Sequence, residues 1–146
     1  MSQSTSLPPD KAQPDPPPEK IYRAHYVHSL WVQGVYYLVT GVWPLVSIET
    51  FMDVTGPKTD LWLVRTVGAL ITLNAIVLLI AAARQDRWTE IGVLAVGSAA
   101  VLLAIDVIFV LAGTIPPIYL TDAAIELVLI SWWIVILTRR SRQLPF

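Results

Sequence analysis

Four side chains set in apolar stretches have the types and spacing to do chemistry: Arg65, Asp106, Asp122 and Glu126. Arg65 lies four residues into the run Leu61 to Ala83, and Asp106 lies near the far end of Trp88 to Ala112. Asp122 and Glu126 sit near the start of Ile118 to Thr138, at the i, i+4 spacing that makes neighbours on one helix face. A guanidinium within hydrocarbon is costly, so Arg65 calls for a carboxylate partner. Carboxylates in excess of that arginine would make an acidic site. Such a site can hold a small cation, an amine or a lipid headgroup, or take up and release a proton.

Other chemistries find less support. His25 and His28 stand at i, i+3, but no second pair of ligands accompanies them, so an interfacial role fits better than a metal or haem site. The chain has no cysteine, which removes disulfides, thiolate metal sites and cysteine nucleophiles. Among Ser29, Ser47, Ser98 and Ser131 only Ser29 has a histidine at matching depth, so a nucleophilic triad is unsupported. No phosphate loop, dinucleotide fingerprint or zinc motif occurs, and no cofactor is implied. The arginines of the C-terminal RRSR read as a topology anchor, not as a nucleic-acid patch.

The elements that must position these groups are set by composition. Of 146 residues 55% are hydrophobic and 14% charged, against about 25% charged in an ordinary soluble domain. The apolar residues fall in runs of about 20 separated by short polar joints, the pattern of a polytopic helical membrane protein. Four such helices in so short a chain leave no outer layer to bury them. The expected fold is therefore all-α, a membrane four-helix bundle with spans at about 24–43, 61–83, 88–112 and 118–138.

The flanking segments follow the same logic. Residues 1–20 hold six prolines and few bulky apolar side chains, which predicts a disordered tail. Residues 140–146 form a short basic tail. Aromatic residues crowd the first span (Tyr26, Trp31, Tyr36, Tyr37, Trp43), and some of these rings are expected to mark its two interfaces. The Trp43–Pro44 step predicts the end of that span, with PLVSIETFM opening a short interfacial helix. Thr59 or Asp60 is placed to cap the second span. The joint RQDR is short enough to make the second and third spans a tight antiparallel pair.

Basic residues thread the chain. Lys11, Lys20, Arg23, Arg84, Arg87, Arg139, Arg140 and Arg142 gather on one side, against Lys58 in the opposite loops and Arg65 just inside. The positive-inside rule puts both termini in the cytoplasm. At ~1.5 Å per residue, Arg65 is ~6 Å, Asp106 ~9 Å and Glu126 ~12 Å from the outer ends of their helices. Helical phase places Asp106 with Gly92, Ala95, Ala99 and Leu102, and Trp133 continues the face of Asp122 and Glu126. Arg65 shares a stripe with Ala69, Thr72 and Ile76, while Asn74 belongs to another contact. The three stripes are expected to converge.

The stretches FMDVTGPKTDLWLVRTVG and AIDVIFVLAGTIPPIYLTDAAIE resemble those of small four-span bacterial integral membrane proteins with no assigned activity. The resemblance implies the four-span fold and a bacterial cytoplasmic membrane as the setting, and no function.

Two readings of the cluster stay open. In one, Arg65 is a buried tie to Asp106 and Glu126 that fixes helix register. In the other, Arg65, Asp106 and Glu126, with Asp122 at the mouth, form an outward pocket for a small cation, amine or lipid headgroup, or support a membrane partner or a second copy. A small proton-linked carrier using Asp106 or Glu126 is the alternative function. A lipid-modifying enzyme with paired carboxylates as acid and base is the third.

Overall fold

The structure, a computed structural model, describes residues 18–86 and 89–141. The described residues form five helices: α1 (Pro18–Val46), α2 (Ile48–Thr55), α3 (Leu61–Arg84), α4 (Thr89–Leu111) and α5 (Tyr119–Ser141). α3, α4 and α5 up to Arg139 are each long and apolar enough to cross a membrane. α1 and α2 together qualify as a fourth, broken segment. The proline-rich tail expected over 1–20 lies outside the described residues as far as Pro17, and 18–20 already belong to α1. The basic tail starts inside α5 and otherwise lies outside the described residues.

α1 does not stop at Trp43. It carries Pro44 in its last turn and ends at Val46, so the second helix starts at Ile48 and not at Pro44. Proline costs most in a helix interior, and here only the final turn has to absorb the missing N–H. The chain bends by 112° at Ser47. Trp43 pins the bend: its Nε1 donates to Thr50 Oγ1 at 2.9 Å, and its ring meets Phe51 edge-on at 5.6 Å. Asp60 occupies the cap position of α3, but through its backbone carbonyl and not its side chain.

α1 is the central element. It packs antiparallel on α3, with Gly34 against Leu79, Gly41 against Thr72 and Gly68, and Pro44 also against Gly68. A Cβ on Gly41 would lie 2.7 Å from Thr72 N and 2.9 Å from the Gly68 carbonyl oxygen, so the two backbones touch. Small residues allow this approach, which supplies dispersion contact where lipid offers no hydrophobic drive. α1 also meets α5 through Tyr26 and Trp133, whose rings stand edge-to-face at 5.1 Å. α4 packs chiefly on α5.

One expected pairing is not found. α3 and α4 are joined by a short turn yet hardly touch, because the glycine face of α3 is spent on α1. A hydrogen bond from Asn74 Nδ2 to Ser98 Oγ links them.

The glycine contacts are unequal. A Cβ on Gly34 meets the Leu79 side chain at Cδ2 and Cγ, with backbone no nearer than 3.4 Å, whereas one on Gly41 meets backbone at 2.7 Å. Gly41→Ala is expected to destabilise the protein by about 2–3 kcal/mol in detergent unfolding. Gly34→Ala should cost less than about 1 kcal/mol by the same measurement.

Candidate functional site

The small-residue stripe on α4 faces inward as its spacing predicts: Ala95, Ala99 and Asp106 are buried, and Gly92 and Leu102 half-buried. The same holds on α5 for Ala123, Glu126, Leu129, Trp133 and Ile136, with Asp122 half-buried. Two of the three carboxylates are thus enclosed: Glu126 is 0% and Asp106 5% exposed. Glu126 lies within electrostatic reach of both Asp106 and Asp122.

α1 supplies what faces them. The Tyr37 hydroxyl donates to Glu126 Oε2 at 3.1 Å, and the Tyr36 hydroxyl donates to Asp122 Oδ1. These adjacent tyrosines, expected by composition to mark an interface, are instead the hydrogen-bond donors of the acidic cluster. Glu126 Oε1 and Asp106 Oδ2 are buried with no hydrogen-bond partner in the protein. An unpaired polar atom away from water is costly, which makes these two oxygens the chemically open part of the site.

Arg65 does not join them. It is exposed on α3, as are Ala69 and Ile76 of its stripe, while Thr72 is half-buried. The inward face of α3 is Gly68, Ala75, Leu78 and Ala82. No ion pair holds Arg65 among the described residues, so neither a buried tie nor a pocket containing this arginine is found. Gly68, three residues on, is the first buried position of α3 and packs on Gly41 and Pro44, whereas Arg65 in the turn before it stays exposed. Lys58 stays at the rim, with Nζ bonded to the Thr55 carbonyl at 2.8 Å and 5.0 Å above the Tyr119 ring. Glu126 therefore has two carboxylates within electrostatic reach and no ion pair with a protein cation among the described residues.

Below the cluster lies a residue that sequence reasoning passed over. Gln33 is fully buried one turn from Tyr37 on α1. Its Nε2 donates to the Ala95 carbonyl and its Oε1 accepts from Trp133 Nε1, each at 2.8 Å. One amide so ties α1 to α4 and α5. Its only signal in sequence is a glutamine in the middle of an otherwise apolar span.

The histidines and serines stay apart from the cluster: His25 and His28 are exposed, and His28 packs on Trp132 at 5.5 Å. Ser29 bonds its own helix at the Tyr26 carbonyl, 2.8 Å away. Among the described residues no three His, Asp or Glu side chains are grouped to hold a metal ion.

Tyr37→Phe removes the one donor to Glu126 Oε2 and leaves both oxygens of a buried carboxyl unbonded. It is expected to cost about 1–3 kcal/mol, read as a lowered midpoint of detergent unfolding. Tyr36→Phe, beside the half-buried Asp122, should cost less.

Comparison with protein family models, with curated proteins and with solved structures finds no match to this chain.

Proposed function

We propose that this chain is a multi-pass protein of a bacterial cytoplasmic membrane whose buried tyrosine–carboxylate cluster is a site for a small monovalent cation. α1, α3, α4 and α5 make four crossings as a four-helix bundle, and α2 lies in the outer interface. The observation that carries the reading is Glu126, fully buried, with an unbonded oxygen, near two further carboxylates and no protein cation. Removing a carboxylate from water without a counter-charge is expensive, and a small cation supplies that charge. The enclosure of Glu126 and Asp106 favours the smallest cations over an amine or a headgroup.

Orientation follows from charge. The start of α1, the α3–α4 joint and the end of α5 share one end of the bundle, where Arg23 donates to Gln85 and Arg139 lies beside Ile21 and His25. This basic end is the cytoplasmic one by the positive-inside rule, and the acidic cluster then lies in the outer half. The cysteine-free chain makes the test direct. Thr59→Cys is expected to react with a membrane-impermeant maleimide on intact cells, and Asp86→Cys only after lysis; the reverse pattern inverts the topology.

Cation binding is tested by the thermal midpoint in detergent with sodium, ammonium or choline chloride at equal ionic strength. Sodium or ammonium should stabilise the protein relative to choline, by about 2.7 kcal/mol at a hundredfold excess over Kd. Glu126→Gln should abolish the difference without lowering the midpoint in choline. A wild-type midpoint indifferent to the cation, or a Glu126→Gln loss equal in every salt, makes the cluster architectural.

A second reading, a proton-linked carrier, is favoured by the run Glu126–Tyr37–Gln33, which continues polar groups inward from the cluster. It requires Glu126-dependent acidification of loaded proteoliposomes, in which sodium has no effect.

A further inference from the structure

At the basic end of the bundle a cleft of about 380 Å³ opens between the first turns of α1 and the last turns of α5. Its lining is ordered along the helix axis. Arg139 and Tyr22 stand at the end, His25 comes one turn further in along α1, and Val135, Ile136 and Trp132 form the deeper wall. From Arg139 to Trp132 is ~10 Å along the axis. The mouth is cationic and the floor is apolar.

We propose that this cleft seats an anionic phospholipid, its phosphate at Arg139 and His25 and the start of an acyl chain against Ile136, Val135 and Trp132. Two observations carry the assignment. Arg139 and His25 are exposed, and Arg139 is in no ion pair among the described residues. The order of charge then apolar surface, running from the helix ends inward, is the order in which a phospholipid presents its own groups to a membrane protein.

The chemistry matches the residues. A guanidinium binds phosphate through paired N–H donors, and imidazole adds one more. Tryptophan and tyrosine favour the level of the headgroups, and basic clefts between spans on the cytoplasmic side suit acidic lipids. Arg23, by contrast, is engaged with Gln85 and does not line the cleft. The inference rests on the membrane reading but not on the carboxylate cluster.

The test uses the purified full chain in a neutral detergent, with Trp fluorescence and thermal midpoint read against three probes: dihexanoyl phosphatidylglycerol, dihexanoyl phosphatidylcholine and inorganic phosphate. Phosphatidylglycerol should bind and raise the midpoint, with the other two weaker by about tenfold or more. Arg139→Gln should weaken phosphatidylglycerol by about tenfold, and Arg23→Gln should leave it unchanged. Val135→Trp, which fills the cleft and leaves its charge intact, should abolish binding while the unliganded circular dichroism stays as in wild type.

Equal binding by Arg139→Gln and wild type overturns the seat. So does equal weakening by Arg23→Gln, which indicates general surface charge, or unchanged binding by Val135→Trp. Inorganic phosphate as effective as the lipid makes it a free-anion site and overturns the lipid. The sodium-dependent midpoint, measured on the same variants, should not change, so a failure here is distinct from a failure of the cation site.

Discussion

A polar side chain inside a bilayer has no water to fall back on, so each one must find its partner within the protein. The arrangement of this bundle follows from that constraint acting on one helix. α1 carries Gln33, Tyr36 and Tyr37 on neighbouring turns, and each finds its partner on α4 or α5. The adjoining stripe of α1 carries Gly34 and Gly41, one turn from Tyr37 on either side, which allow α3 to approach to backbone contact. α1 is thus held to α5 by hydrogen bonds and to α3 by close packing.

This division explains what could be read in advance. The inward stripe of α4 was legible because glycine and alanine recur at helical spacing up to Asp106, and small residues mark close approach whatever the partner. The α5 face was legible because Asp122 and Glu126 at i, i+4 lead to Trp133. The phase of α3 was not. That helix has little periodicity in its apolar residues, and the charge near its start, Arg65, is exposed and not inward. The informative residue is Gly68, whose meaning depends on Gly41 in another helix.

The donors to the cluster escaped for a related reason. Tyrosine near the end of a span ordinarily marks the headgroup region, and nothing local distinguishes a ring that turns inward. Only the position of Glu126 on α5 gives Tyr37 a different role. The bend at Ser47 was half legible: Pro44 announces a break, but Trp43 and Phe51 set where it falls.

The outward position of Arg65 has a consequence for the bundle as a whole. In the proposed membrane setting, a guanidinium on this exposed surface about one turn below the helix start would extend its long stem upward until the charge met the headgroups. It then works as a depth mark, because sinking α3 further would pull a charge into hydrocarbon. Since α3 is locked to α1 at Gly41 and Gly68, that mark also sets the level of Tyr36 and Tyr37. An arginine that never touches the carboxylates would in this way set how far below the membrane surface they lie.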